Sequence, residues 1–259
     1  RQELDLVASD FKDAEHQYKT LETQVAKLET GFQEMQSQLN ETRETLAKKR
    51  GRRVSIENQL NFYEELMETG EGYSGGVRTL LSEDIESMGI LGTVADLLTV
   101  DERYEKAIQT ALGPLAEALV TRDRKSALSA IKALKDQQAG SATFLPLEPL
   151  LKAKPKSSVI LKGKHVIGAA IDFVTPKSGF SDLAQLLLRD VTLVEDEFVA
   201  DWNKISGRAV SVDGTLYDIF GLLKGGSGGE GEDTIIGRRD RIQRLREQFS
   251  SLVDEIQEH

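Results

Sequence analysis

Cysteine is absent from this sequence, which excludes a disulfide framework, a thiol nucleophile and a thiolate-bound metal, and fits a reducing compartment. Histidine is scarce, and His16, His165 and His259 are too scattered to suggest a metal site. No apolar run approaches the ~20 residues a membrane span needs, and the opening RQELDLVASD is no signal peptide. Positive charge is also short: the net charge is −10, so any nucleic-acid contact must come from local basic patches. Gly-x-x-x-x-Gly-Lys-Ser/Thr does not occur, and the glycine-rich stretch 225–231 has no Lys-Ser/Thr after it, so no phosphate-cradling loop is expected. Carboxylate neighbours such as Glu195 and Asp196 read as surface charge rather than acid–base chemistry. No enzymatic activity is expected of this chain.

What is abundant is charge, at 29%, against aromatics at 6%, the profile of a partly coiled-coil chain. From Leu4 an apolar series runs Val7, Phe11, Ala14, Tyr18, Leu21, Val25, Leu28, Phe32, Met35, Leu39, then Leu46, Ile56, Leu60, Tyr63 and Met67. Thr42, Lys49 and Arg53 break the apolar rule, but the 3-4 frame never slips, which predicts a left-handed coiled-coil helix over residues 1–70. At ~1.5 Å per residue the helix is roughly 100 Å long. The glycines of ETGEGYSGG end it near Gly70. Lys48, Lys49, Arg50, Arg52 and Arg53 flank Gly51 where the stripe turns polar. They are candidate phosphate contacts, or else a solvated, loosened point in the coil.

The rest is organised around GTLYDIFGLLKGG at 214–226, whose glycines interrupt strand-like residues such as Val210, Val212, Leu216, Tyr217, Ile219 and Phe220. Glycine is costly inside a strand, so the repetition implies bends or a close approach of another backbone. Upstream, the pattern predicts an amphipathic helix from its N-cap Asp101 to Gly113, a buried strand at 118–120, a helix at 125–134 and a strand at 140–147 ended by proline. Residues 149–164 read as a linker carrying Lys152, Lys154, Lys156, Lys162 and Lys164. A similar order then repeats: a strand at 166–171, a helix at 181–189, a strand at 191–194, a helix around 198–205 and a strand at 209–212. Two α/β lobes, 71–148 and 165–233, joined by the linker are expected.

These segments carry a resemblance. GYSGGVRTLL at 72–81, ILGTVADLLTVDERYEKAIQTALG at 90–113, GSATFLPLEPL at 140–150 and the G-x6-G-x3-G-G pattern at 214–226 are similar to the hinge domain of the SMC (structural maintenance of chromosomes) proteins, bacterial type. The likeness covers about residues 70–240. It implies an α/β two-lobed hinge globule flanked by an antiparallel coiled coil. It also implies pairing with a second copy, a homodimer, through sheet edges at which Gly214, Gly221, Gly225 and Gly226 lie. Unpaired edges and missing Cβ atoms agree with such a contact. The other reading is that the glycines only shape turns within one chain, and GGSGGEGE also reads as a flexible linker.

The 3-4 pattern returns in residues 234–259 with Ile235, Ile242, Leu245, Phe249, Leu252 and Ile256. This second arm has roughly 25 residues against roughly 70 in the first. Paired from the globule outward, about residues 1–44 lack a partner helix in this chain and are expected to pair with another molecule, fray, or be ordered by lattice contacts. Because the heptads are already running at both ends, the chain is expected to be a fragment. Arg238, Arg239, Arg241, Arg244 and Arg246 open the second arm. By resemblance they are candidates for weak DNA contact at the hinge–coil junction, and a solvated helix face with intrahelical ion pairs is the plainer alternative. The resemblance further implies ATPase heads that bind ATP and Mg, with accessory subunits, at the far ends of the coils, and a cytoplasmic, nucleoid-associated protein with no membrane partner. The leading expectation is thus a non-catalytic dimerisation hinge of a chromosome-organising ATPase. A module that is chiefly DNA-binding, with dimerisation secondary, is the alternative; an enzyme on a stalk lacks a catalytic cluster, and a zinc hook lacks its Cys-x-x-Cys.

Overall fold

The computed structural model describes residues 2–148, 161, 163–196, 198, 207–218, 221–226 and 234–257, with the side chains of 2–10 and 13 excepted. Of the sequence expectations, the helix near 198–205 apart from Phe198, most of the linker lysines, Ile219, Phe220 and His259 lie outside these residues. The chain divides into two units, residues 1–58 with 247–259, and residues 59–246.

The first unit is built by helix α1 (Gln2–Thr69) and the end of helix α7 (Arg238–Gln257). The apolar series explains where they meet: Ile56 and Leu252 are buried, and Leu46 is half-buried. Lys49 breaks the stripe because its ammonium reaches Glu255 at 3.1 Å. Along residues 11–39 the same series stands in solvent, with Leu28 73% and Phe32 68% exposed.

In the second unit α1 ends at Thr69, and Gly70 follows at φ +64°, as the glycines require. Helix α2 (Gly75–Leu81) leads to strand β1 (Ile90–Thr93), helix α3 (Val94–Leu97) and strand β2 (Leu98–Val100). The helix expected from Asp101 divides: Asp101 caps a 3-10 turn at Glu102–Tyr104, and helix α4 (Glu105–Leu112) follows, stopped by Gly113. Strand β3 (Leu119–Thr121), helix α5 (Arg124–Gln137) and strand β4 (Phe144–Pro146) complete this half. Asp123 caps α5 by accepting the Ser126 N–H at 2.7 Å.

The other half holds β5 (Val166–Ala169), β6 (Val174–Pro176), α6 (Ser181–Leu188), β7 (Val191–Val194), β8 (Arg208–Ser211), β9 (Leu216–Tyr217) and β10 (Leu223–Lys224). Among the described residues three sheets result: β1-β3-β4, β10-β9-β8-β7-β5, and an antiparallel pair of β2 with β6. That pair joins the segments on either side of 149–164, and Tyr104 packs against Phe173 with ring centroids 4.7 Å apart and the rings tilted by 58°. One hydrophobic cluster therefore runs through both halves, from Val77 and Ile108 to Leu188 and Leu193. The apolar face of α4 (Ala107, Ile108, Ala111, Leu112) is buried and packs toward β8 and α6. Arg208 of β8 fixes this join, donating to the Ala111 carbonyl at 2.8 Å, to the Leu187 carbonyl at 3.0 Å and to Asp190 at 2.9 Å. A cation there also satisfies the negative C-terminal ends of two helices.

Candidate functional site

Strand β10 is the edge of the five-stranded sheet and, among the described residues, pairs only with β9, Leu223 opposite Tyr217 and Lys224 opposite Leu216. Leu223 of the strand, and Leu222 just before it, face water at 60% and 55% exposed. A strand with one free edge beside exposed leucines is a template for another strand. The turn into it is closed by Gly221, whose N–H reaches the Asp218 carbonyl at 3.0 Å, while Asp218 N–H reaches Leu222 O at 3.0 Å. Gly221 has φ +76°, and a Cβ there would meet nothing within 4 Å. Gly226 is equally open, whereas a Cβ on Gly225 would lie 3.0 Å from Thr215 Oγ1.

Gly214 is placed differently. Its Cβ would stand 3.2 Å from both Lys106 Cε and Thr110 Oγ1 of α4, at φ +92°. The turn before it is held by the Asp213 carboxylate, which accepts from the Ser211 hydroxyl and from Thr215 N–H. Those hydrogen bonds, Ser211 first, hold Asp213 below the usual carboxylate range. A close approach of α4 within the chain thus accounts for Gly214, while Gly221 and Gly226 border open space. A cleft of about 750 Å³ lies beside this edge, lined among others by Lys106, Thr110, Lys224, Gly225 and Gly226.

The second candidate surface is the start of α7. Arg238 is 3% exposed, and its guanidinium donates to the Thr234 carbonyl at 3.1 Å and the Glu71 carbonyl at 2.5 Å. Arg241 reaches Glu105 at 2.6 Å and the Tyr63 hydroxyl at 2.8 Å. Glu105, 2% exposed, sits on the buried face of α4 beside Gly237. Burial raises its carboxyl above the ordinary value, with Arg241 and Arg244 pulling it back. Arg239 meets Asp96 at 2.7 Å, Arg244 meets Glu102 at 3.6 Å and Arg246 meets Glu64 at 2.6 Å. The structure therefore brings the whole row of arginines onto carboxylates and carbonyls of its own chain. Arg238 is held inside, Arg241 is half-buried, and Arg239, Arg244 and Arg246 keep much of their surface in water.

In the first unit Lys48, Arg50, Arg52 and Arg53 are exposed, while Lys49 is tied to Glu255. Lys164 is exposed in a turn, and His165 pairs with Glu195 at 2.8 Å. Among the described residues no cluster of three or more metal-ligand side chains occurs, and no helix is long and apolar enough to cross a membrane. Sequence reasoning missed Glu105, Asp96 and Arg208. Glu105 had a signal, since it falls in register with Ile108 and Leu112 on the apolar stripe of α4.

Residues 86–201 match the family model described as SMC proteins Flexible Hinge Domain. A similar relative is the chromosome partition protein Smc of Desulfitobacterium hafniense, 33% identical over 82% of this chain and 18% of that protein. The chain spans about a fifth of the length of the curated relatives it matches. Among solved structures it resembles the SMC hinge domain of Pyrococcus furiosus, at 32% identity and TM-score 0.50, covering 70% of this chain and 95% of that one. An asymmetric dimer of the Geobacillus stearothermophilus SMC hinge domain shares the fold at TM-score 0.70 and 24% identity, covering 86% of this chain and 92% of that one.

Proposed function

We propose that this chain, which belongs to the SMC hinge family, is the homodimerisation hinge of a chromosome-organising ATPase, joining two coiled-coil arms. The observation that carries the reading is β10: a short solvent-facing strand, next to the exposed Leu222 and Leu223, with one edge unpaired among the described residues, entered through Gly221 and left through Gly225 and Gly226. Pairing that edge with a strand of a second copy satisfies its backbone groups and buries Leu222 and Leu223, each worth about 1.5–3 kcal/mol when fully covered. The hinge itself performs no chemistry. ATP and Mg belong to head domains outside this chain, as do the accessory subunits, and the intact protein works in the cytoplasm on the nucleoid.

DNA contact is weak and secondary in this reading. Its open candidates are Lys48, Arg50, Arg52 and Arg53, which stand in solvent on α1; Arg239, Arg244 and Arg246 at the head of α7 are further candidates that already face carboxylates of their own chain. The same exposed basic run also supports the second reading, a DNA-binding module in which dimerisation is incidental. Light-scattering mass after gel filtration decides between them, on the chain as it stands and on Leu223→Lys. The hinge reading expects a dimer that becomes a folded monomer in the variant. A dimer untouched by Leu223→Lys removes β10 from the contact, and a monomeric parent that binds DNA favours the second reading.

A further inference from the structure

We infer that the exposed arginines at the head of α7 are masked DNA contacts: Asp96, Glu102 and Glu64 occupy the guanidinium faces that phosphates would take. The inference rests on the proposed DNA contact and adds its regulation. Arg239 and Arg246 are seven residues apart, so they share one face of α7 about 10 Å apart along its axis. Both retain more than half of their side-chain surface in water, 53% and 58%. Each is nevertheless engaged by a carboxylate, Asp96 at 2.7 Å and Glu64 at 2.6 Å, the latter accepting from both Nε and Nη2 of Arg246. Arg244 is approached by Glu102 at 3.6 Å.

A carboxylate and a phosphate present the same paired oxygen acceptors to guanidinium, so one excludes the other. The inner arginines differ in kind. Arg238, buried, and Arg241, half-buried, hold α7 to Glu71, Glu105 and Tyr63, and they keep the outer row in place without taking part in the exchange. An acidic chain whose junction arginines carry their own acceptors binds DNA weakly at rest. It binds more tightly whenever Glu64 and Glu102, which are partly exposed, turn away.

The test is fluorescence anisotropy with a labelled 30-base-pair duplex, on the full chain, at several salt concentrations. Glu64→Gln with Glu102→Gln is expected to tighten binding about threefold, and Asp96→Asn added to them about tenfold. The slope of affinity against salt should steepen by about one to two, as one or two further phosphates are engaged. Adding Arg239→Gln and Arg246→Gln should return the affinity to the parent value. Glu22→Gln with Glu29→Gln, exposed on α1, serves as the equal-charge control. Because Asp96 is buried, the Glu64 and Glu102 pair is decisive if the triple variant melts. If that pair binds no tighter than the control while the parent binds DNA, masking is wrong and the DNA contact stands elsewhere. If neither parent nor variants bind at low salt, both ideas fall.

Discussion

At the scale of single residues, four glycines that look alike in the sequence have separate physical reasons. Gly214 combines φ +92° with α4 side chains 3.2 Å from its absent Cβ, so a larger residue meets both strain and a wall. Gly221 has only the strain, φ +76° with open space beyond. Left-handed backbone costs an ordinary residue about 1–2 kcal/mol. Gly221→Ala should therefore lower monomer stability by about 1 kcal/mol, and Gly214→Ala by about 2 kcal/mol or more, in thermal melts of monomeric samples. Equal losses at the two positions would mean that α4 yields freely and that Gly214 is also only a turn. The spacing of the glycines was readable because backbone constraints recur along the chain. Which of them faces α4 was not, because residues 106 and 110 are brought there by the β8–α4 packing, about a hundred positions away in sequence.

Among the elements, the start of α7, residues 238–246, carries a row of ion pairs beside its buried Ile242 and Leu245, and the sequence suggested otherwise for its arginines. Its arginines invite a reading as a nucleic-acid surface, since one-dimensional counting cannot see that Asp96, Glu102 and Glu105 come to meet them. The helices and strands themselves were largely legible: α5, α6 and β7 fall within a few residues of the apolar pattern, whereas β6 and the 3-10 turn before α4 were too short to show a period. Within the charge network Glu105 and Arg241 are the critical pair, because Glu105 has almost no contact with water. Removing one member of a buried pair costs about 3 kcal/mol or more, since the other remains uncompensated. Arg241→Ala should thus lower the melting temperature markedly at neutral pH. The pH dependence has a definite sign. A carboxyl raised in the folded state contributes stability below its unfolded value and loses that contribution as pH climbs through the folded one. Without Arg241 the folded value rises further, so the deficit of Arg241→Ala should shrink on acidification from about pH 7 toward 4.5. A deficit that stays constant over that range would show that Glu105 gains water in the variant and is not left buried.

For the molecule as a whole, the apolar stripe of α1 from Phe11 to Leu39 is a heptad seam with no helix against it among the described residues. The seam itself was fully legible from 3-4 spacing, and so was the mismatch in arm lengths; what covers it was not, since a heptad frame specifies a partner helix without naming one. An isolated helix owes little to propensity and much to burial of one face, so residues 11–39 should be the least stable part of the chain in dilute solution. Lys19 and Lys27 lie within the bare seam, while Lys106 sits on α4, whose other face is locked into the core. Limited trypsin digestion should cut at Lys19 and Lys27 well before Lys106. Raising the protein concentration should slow those two cuts only if copies pair through the seam. Adding in trans a helical peptide with a matching heptad stripe should protect both sites at low concentration. If Lys19 and Lys27 resist trypsin as well as Lys106 does in dilute solution without such a peptide, the seam is already covered, and the unpartnered arm is wrong.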